Sequence, residues 1–457
     1  MGADSAANTP NQRHSCLSLD KCSPDPNFSS ATTAMLFNLL PASLQYLFAS
    51  FILSDAPTRP SPTLSFTLRH EFGLINGTRT VFTNLDSTSH LTDSEFSIQT
   101  MNTKTYRPHS QEAFSYARFS GLHAQQELPW DGLDILGPNV EERETLYLLA
   151  KMANNAYALP GDKEWYDIGE EWNSSYPFGW EPDADGLRGH VFSTEDNSTV
   201  VISIKGTSPA WPAGGGGPTV VKDKLNDNLL FSCCCARVGP TWRPVCSCYE
   251  GGYKCDQDCL EQSLTQESLF YQTGINLYNN VSYMFPNANI WLTGHSLGGG
   301  LASLIGITFG APVVAFEAPA ERMAARRLHL PSPPSVQHVT HVYHTADPIP
   351  MGVCTGVSSS CAIGGYALES RCHLGNVLKY DTVSKWGWSV DVRNHGITVI
   401  VDKLLSADWE EEDEGSGDNG ADRKRNVPKM TDEGDCVDCF NWEYGNYRNL
   451  STFGCGH

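Results

Sequence analysis

A serine between two glycines, at the end of an apolar stretch, is the residue of this chain best suited to covalent chemistry. The segment 290–299 reads IWLTGHSLGG, and a second apolar stretch, 301–309, follows it. A strand, a sharp turn and a helix in this order form a nucleophile elbow, which exposes the serine hydroxyl and brings N–H groups close to a developing oxyanion. We therefore predict Ser296 as the nucleophile of an ester hydrolase, with the N–H of Leu297 as an oxyanion donor. An ordinary glycine-rich turn is the alternative.

A serine nucleophile needs a base, and the base needs an acid that orients it. In hydrolases with this elbow the chain order is serine, acid, histidine. Asp347 follows a strand-like segment and His395 precedes a helix-like one, so we predict them as the acid and the base. The alternatives are His373 as the base and Asp381 or Asp391 as the acid.

A second oxyanion donor is expected at the end of another strand. The segment 200–204, VVISI, has the pattern of a buried strand and is followed by Lys-Gly-Thr-Ser. Thr207 in this turn offers a backbone N–H and a hydroxyl, although a plain strand-to-helix turn is also consistent with the pattern. The glycine-rich segment 209–218, which contains a tryptophan, is interpreted either as a lid or as a flexible loop.

The fifteen cysteines indicate an oxidising compartment. Seven of them lie between residues 233 and 259: Cys233, Cys234, Cys235, Cys246, Cys248, Cys255 and Cys259. Three adjacent cysteines do not converge easily on one tetrahedral ion, so we predict disulfides, with the pairing left open. Six Asn-x-Ser/Thr sequons agree with secretion, and the first of them is at Asn27. The other five are candidate glycosylation sites: Asn76, Asn173, Asn197, Asn280 and Asn449.

Three histidines at regular spacing raise the question of a metal site. His338, His341 and His344 lie in or beside the strand-like segment 336–343. Strand residues three apart point to opposite faces, so these side chains are not expected to converge on one ion. We predict no metal and no cofactor.

The charge excludes one large class of function. The chain of 457 residues has 31 basic and 52 acidic residues and a formal net charge of −21. Nucleic-acid binding requires clustered Lys and Arg, so we predict no nucleic-acid partner. Eleven of the acidic residues fall between 408 and 435, which makes this stretch an expected solvated linker.

Strand-like and helix-like segments alternate through the middle of the chain, which predicts an α/β fold. One uncharged segment, 34–53, is about as long as a membrane-spanning helix and is predicted as a signal anchor, with a cleaved signal peptide or a buried helix as alternatives. The complete expected order is a disordered tail (1–33), the anchor (34–53), a β-rich accessory region (62–140), the α/β domain (141–406) with a Cys-rich insertion (233–259), the acidic linker (407–435) and a Cys-containing tail (436–457).

Several segments of the sequence resemble those of a known family. The segment 290–299 is similar to the serine-site signature of the class 3 lipases, and Ser296, Asp347 and His395 match the order and spacing of that family's triad. A narrower resemblance, covering the chain from about residue 60 onward, is to the fungal autophagy-related lipases. It is carried by four segments: 226–235 (NDNLLFSCCC), 246–255 (CSCYEGGYKC), 344–350 (HTADPIP) and 435–442 (DCVDCFNW).

This resemblance implies an α/β-hydrolase with a mostly parallel sheet and no cofactor. It also implies a single-pass type II glycoprotein that passes through the endoplasmic reticulum, Golgi and multivesicular bodies to the vacuole. Its partners would be the lipid membranes of autophagic bodies, Cvt bodies and multivesicular body vesicles, and its substrates phospholipids and triacylglycerols. The alternatives are an esterase acting on a non-lipid ester, or an inactive Cys-rich membrane-binding protein.

Overall fold

The computed structural model describes residues 70–75, 79–84, 98–120, 128–168, 174–178, 186–208, 219–236, 243–267, 269–410 and 425–448. The predicted anchor 34–53, the tail before it and the lid candidate 209–218 lie outside these residues. Among the residues described, none of the helices combines the length and the apolar character that crossing a bilayer requires.

The strands of the described part are β1 (His70–Ile75), β2 (Arg79–Asn84), β3 (Thr100–Pro108), β4 (Trp130–Pro138), β5 (Ser174–Phe178), β6 (Gly189–Ser193), β7 (Thr199–Ile204), β8 (Tyr249–Gly251), β9 (Lys254–Asp256), β10 (Asn289–His295), β11 (Val313–Phe316), β12 (Val339–His344), β13 (Asn376–Tyr380), β14 (Thr431–Asp432) and β15 (Glu443–Gly445).

The helices are α1 (Gln111–Ser120), α2 (Arg143–Asn155), α3 (Val220–Phe231), α4 (Gln257–Glu267), α5 (Leu269–Met284), α6 (Leu297–Phe309), α7 (Arg322–Arg327), α8 (Ser360–Gly364), α9 (Thr382–Trp386) and α10 (Ile397–Val399). A 3₁₀ helix, Val392–His395, precedes α10, and a π-helical segment, Ile400–Leu404, follows it.

Eight strands form the central sheet, in the order β14-β13-β12-β11-β10-β7-β6-β5. The five inner strands from β7 to β13 run parallel, and antiparallel strands flank them on both edges. The mostly parallel sheet, with the elbow between β10 and α6, is the predicted α/β-hydrolase fold.

Helices cover both faces of this sheet, and the packing of β7 explains why its sequence is mostly apolar. Val200 and Ile202 pack into one hydrophobic core, together with Leu301 of α6. Val201, between them, packs into a second core that contains Leu149 of α2. Successive strand residues point to opposite faces, so a strand buried on both sides has no polar alternation.

Two antiparallel pairs precede the main sheet. β1 and β2 pair on either side of residues 76–78, around the predicted hairpin turn at Asn76-Gly77. β3 and β4 form a second pair, and the helix α1 lies between them in the chain. The indole N–H of Trp291 donates to the carbonyl of Leu136 (3.0 Å), which ties β4 to β10 of the main sheet.

The Cys-rich insertion and the tail form one small disulfide-bonded unit. Its sheet has the order β15-β9-β8, so the tail supplies one of its three strands. Six disulfides confirm the predicted oxidised state: Cys233–Cys439, Cys234–Cys255, Cys235–Cys246, Cys248–Cys259, Cys354–Cys361 and Cys372–Cys436. Cys455, the remaining cysteine after residue 232, lies outside the described residues.

The acidic linker is shorter than the expected 407–435. At its start Trp409 is buried against Tyr380, and near its end Val427 is buried in the same hydrophobic core. The strand β14 then pairs with β13. The acidic composition of the stretch concealed a few apolar side chains at its two ends that pack on the sheet.

Candidate active site

The nucleophile elbow is the most tightly constrained turn of the sheet. Ser296 follows β10 directly and has φ 57° and ψ −130°, a conformation that costs energy for a residue with a Cβ. A Cβ at Gly298 would overlap the carbonyl oxygen of Ile204, and one at Gly294 would overlap the backbone of Gly298. The two glycines of the motif are therefore needed because α6 begins in direct contact with two strands.

The structure brings the three residues predicted from chain order together. His395 Nε2 lies 2.9 Å from Ser296 Oγ, and His395 Nδ1 lies 2.6 Å from Asp347 Oδ2. If Nδ1 carries its proton toward the carboxylate, Nε2 is free to accept the serine proton. The arrangement has the geometry of a serine, histidine and acid triad, which is suited to acyl transfer.

Asp347 is held as a charged group in the interior. Its side chain is fully buried, and Oδ1 accepts a hydrogen bond from the N–H of Ile349 at 2.9 Å. Burial alone would raise the pKa of Asp347, but the charge and hydrogen bond of His395 outweigh it, so the pKa is lowered. The carboxylate can therefore stabilise an imidazolium that forms during reaction.

The three rival residues lie in other environments. His373 is buried between the carboxylate of Glu433 and the carbonyl of Ala318, at 3.1 Å from each. Asp381 caps the start of α9, and Asp391 binds the exposed Arg393. None of them makes a hydrogen bond to Ser296.

Thr207 is positioned by an acid that sequence reasoning missed. Its Oγ1 lies 2.5 Å from Asp227 Oδ2, and Asp227 is buried on α3. Burial raises the pKa of Asp227 to about 7. Nearby, Lys205 forms a buried ion pair with Asp223 (3.2 Å), which also accepts from the N–H of Ser208 (3.1 Å). The available signal in the sequence was the pair of acids Asp223 and Asp227 in the segment that forms α3. Chain order alone did not connect them to Thr207.

The turn that carries Thr207 touches the elbow itself. A Cβ at Gly206 would overlap the carbonyl oxygen of His295 and the hydroxyl of Tyr157, and would come within 3.1 Å of Ser296 Cβ. The end of β7 is therefore in contact with the nucleophile. In this fold an oxyanion hole is built from the residue after the nucleophile and from a second strand end, so Leu297 and Thr207 remain the candidate donors.

His295 fixes the backbone of the base. Tyr157 Oη lies 2.8 Å from His295 Nδ1, and His295 Nε2 lies 2.7 Å from the carbonyl oxygen of His395. A carbonyl only accepts, so Nε2 carries the proton and the tyrosine hydroxyl donates to Nδ1. Burial lowers the pKa of His295 to about 3, which keeps the ring neutral.

The other histidines and the cysteine cluster do not form a metal site among the described residues. His341 pairs with Glu321 (3.1 Å) and His344 Nε2 lies 3.2 Å from the carbonyl of Asn394, while His338 precedes β12. The sulfur atoms of three cysteines approach one another closely because two disulfides lie side by side: Cys235–Cys246 and Cys248–Cys259.

Two of the candidate glycosylation sites are described, and both are exposed: Asn197 and Asn280. The other candidates, Asn76, Asn173 and Asn449, lie outside the described residues, as does Asn27.

Part of the chain matches a described protein family, and several solved structures are similar to it. Residues 248–327 match a family model described as a Tle-like phospholipase domain. Among solved structures, Lip2 lipase from Yarrowia lipolytica is 16% identical and covers 62% of this chain and 83% of its own, with a TM-score of 0.29. A triacylglycerol lipase from Penicillium expansum is 17% identical over 52% of this chain and 78% of its own, with a TM-score of 0.28.

Curated fungal proteins are much more similar. The protein named "Putative lipase ATG15" from Cryptococcus neoformans is 51% identical over 367 residues, which is 70% of this chain and 70% of that protein. The protein of the same name from Mycosarcoma maydis is 44% identical over the same shares of both chains. The chain is an ester hydrolase and belongs to the ATG15 family of fungal autophagy lipases.

Proposed function

We propose that the protein hydrolyses acyl esters of phospholipids and triacylglycerols, with Ser296 as its nucleophile. The observation that carries this proposal is a pair of hydrogen bonds. One joins Ser296, at the start of α6, to His395, and the other joins His395 to Asp347. The phospholipase-like family model and the lipase names of the relatives support the substrate class.

The reaction follows from these positions. His395 Nε2 takes the proton of Ser296 as Oγ attacks the acyl carbonyl carbon, and Asp347 stabilises the imidazolium. The N–H groups of Leu297 and Thr207 donate to the oxyanion. His395 then protonates the departing alcohol oxygen, which leaves an acyl-enzyme. Water, deprotonated by the same histidine, attacks the acyl-enzyme and releases the fatty acid.

Exposed apolar side chains on two segments that contact each other favour a lipid surface over a dissolved ester. The N–H of Val353 donates to the carbonyl of Pro348, beside Asp347, and the Val353 side chain is exposed. Ile363, further along the same segment, is 73% exposed, and Val221 on α3 is 79% exposed. Lys224 of α3 donates to the carbonyl of Gly364, so these two segments contact each other.

The proposed setting is the vacuole lumen, where the enzyme would break down the membranes of autophagic and multivesicular bodies. The ATG15 relatives and the six disulfides support an oxidising, secretory route. We propose the endosomal multivesicular body membrane as the carrier, with residues 34–53 as a type II signal anchor. An N-terminal fusion whose tag stays cytosolic while residues 70–448 are protected from added protease would support that topology, and a protected tag would contradict it.

The activity is tested with the protein from residue 56 onward, as wild type, as Ser296→Ala and as Ser303→Ala. Ser303 is a fully buried serine of the same helix whose hydroxyl donates to the carbonyl of Gly299, so it is a matched control. We expect fatty-acid release from phospholipid vesicles and triacylglycerol emulsion by the wild type and the control, and none by Ser296→Ala. Equal release by wild type and Ser296→Ala would overturn the nucleophile. Release from a dissolved ester, without release from either lipid, would favour a non-lipid esterase.

A further inference from the structure

Beneath the proposed active site lies a buried glutamate in an unfavourable backbone conformation. Glu317 follows β11 and has φ 45°, in the left-handed region that residues with a Cβ rarely adopt. Its N–H donates to the carbonyl of Val342, and the preceding carbonyl, of Phe316, accepts from the N–H of Ser296 at 3.0 Å. Glu317 is therefore held between the nucleophile and the strand that leads to Asp347.

Its carboxyl group has few partners for a charge. Oε1 accepts from the N–H of His344 at 3.1 Å, and no N–H or hydroxyl group of the described residues donates to Oε2. The side chain of His344 lies 3.6 Å away, but its Nε2 must donate to the carbonyl of Asn394 and burial lowers the pKa of this histidine, so the ring is neutral. A fully buried carboxylate without a cationic partner is costly.

The acid that interacts with Glu317 is Asp347, which is itself fully buried. Burial, the negative charge of Asp347 and a hydrogen bond between the two carboxyl groups raise the pKa of Glu317 well above its usual range. The same bond contributes to the lowered pKa of Asp347. Ionising both members of a hydrogen-bonded pair of buried carboxyl groups is unfavourable, and the proton belongs on the one that lacks His395 as a partner.

The other titratable groups around Glu317 come from three elements and the loops that follow them. They are Tyr343 and His344 on β12, Asp347 after it, His295 and Ser296 at the end of β10, and His395 on the 3₁₀ helix. None of these groups is a lysine or arginine, so none supplies a permanent positive charge that would hold Glu317 in its ionised form.

We propose that Glu317 is a positioning residue that keeps its proton in the working enzyme and donates it to Asp347, so that His395 stays available as a base in acidic solution. The inference rests on the proposed function of the triad. A hydrogen bond donated to Asp347 takes up part of its negative charge, which weakens its hold on a proton at His395. Without the donor, Asp347 would favour the imidazolium more strongly, and the base would be lost at a higher pH.

The test is the pH profile of kcat/KM on a dissolved short-chain ester for Glu317→Gln, Glu317→Met and Glu321→Gln. Gln has the shape of Glu and an N–H₂ group that donates permanently, so it replaces a protonated carboxyl group but not a carboxylate. Met has a similar length and no donor. Glu321 is an equally buried glutamate that pairs with His341, away from Ser296, and serves as the matched control.

We expect Glu317→Gln and Glu321→Gln to keep the wild-type acid limb, and Glu317→Met to lose activity about one pH unit higher. An acid limb that moves to lower pH in Glu317→Gln would overturn the proposal, because it would mean that a negative charge had been removed. So would an unshifted Glu317→Met profile, or activity lost at every pH in Glu317→Gln. Thermal unfolding checks that each variant folds. If Glu317→Met does not fold, the pH profile of Glu317→Gln alone decides the test.

Failure of the proposed function has a different result. If Ser296→Ala hydrolyses the same ester as fast as the wild type, the pH profile does not belong to the triad, and the function rather than the role of Glu317 is overturned.

Discussion

At the scale of single residues, the site depends on side chains that are each fixed by a neighbour from another part of the chain. His395 is aligned by Asp347 through its ring and by His295 through its carbonyl. The hydroxyl of Thr207 is aligned by its hydrogen bond to Asp227. Such supporting contacts reduce the reorganisation needed at the moment of reaction, which is the main source of electrostatic catalysis.

The hydroxyl of Thr207 is expected to matter through this contact. Thr207→Val keeps the shape of the side chain but removes the donor to Asp227, so the backbone N–H of residue 207 should lose its fixed direction. We expect kcat on a dissolved ester to fall at least about 10-fold, since loss of an oxyanion donor itself costs about 10²–10³-fold.

Thr207→Ser is the matched control, because it retains the hydroxyl and should keep most of the activity. Equal kcat for Val and wild type, with both folded, would show that the contact with Asp227 does not position the oxyanion donor.

Residues of this site can be predicted from the sequence where the information is local. The elbow around Ser296 is a continuous motif, and Asp347 and His395 follow from chain order. Glu317 and Asp227 could not be predicted in the same way, because nothing in their local sequence indicates that they lie beside Asp347 and Thr207. Those contacts exist only once β11 lies next to β12 and α3 packs on the sheet.

At the scale of elements, the end of the predicted linker, which leads into the tail, is part of the hydrolase sheet. β14 extends the sheet beyond β13, and Glu433 accepts hydrogen bonds from the N–H and Nδ1 of His373 and from the hydroxyl of Tyr343. The sequence predicted a solvated linker here from its acidic composition, and Thr431 and Asp432 form only a two-residue strand. Strands this short leave no periodic pattern, so the pairing partner decides whether they form.

The ion pair between His373 and Glu433 makes the docking of the segment 431–433 on the sheet depend on pH. Burial alone would lower the pKa of His373, but Glu433 raises it. Burial alone would raise the pKa of Glu433, but His373 lowers it to about 2. The histidine contribution is complete below its ordinary value of 6.5 and is lost as the pH rises through the raised value. The glutamate contribution is present above 4.5 and is lost as the pH falls toward 2.

We therefore expect the stabilisation to be greatest between about pH 4.5 and 6.5. His373→Gln should lower the free energy of unfolding by about 3 kcal/mol at pH 5.5, because a buried partner loses its counter-charge, and by clearly less at pH 8.5. Chemical denaturation at the two pH values measures this difference.

His109→Gln is the control, since His109 forms an exposed pair with Asp131 at the same 3.1 Å distance. Its loss should be below about 1 kcal/mol at either pH. A His373→Gln effect that does not change between pH 5.5 and 8.5 would contradict the ion-pair explanation.

At the scale of the whole molecule, disulfides join distant parts of the chain around the α/β core. Cys233–Cys439 links residues 206 positions apart and fastens the tail to the end of α3, whereas Cys354–Cys361 closes a segment of only 7. Such links suit the degradative compartment that we propose for this protein.

Removal of these two disulfides should have unequal effects. In the chain-entropy relation, the longer loop contributes about 5 kcal/mol and the shorter about 2 kcal/mol. The double replacement of Cys233 and Cys439 by Ser should therefore destabilise the protein more than that of Cys354 and Cys361, measured by chemical denaturation. Equal losses would indicate that the tail remains docked by its strands and by Glu433 alone.

The central claim is that one serine carries the lipid hydrolysis, and covalent labelling tests it most directly. The wild-type protein is treated with a long-chain alkyl phosphonate, and the adduct is located by peptide mass mapping while fatty-acid release from phospholipid vesicles is followed. The account predicts one adduct, on Ser296, with activity falling in proportion to its formation. An adduct on another residue that accompanies inactivation, or full activity after Ser296 is modified, would contradict it.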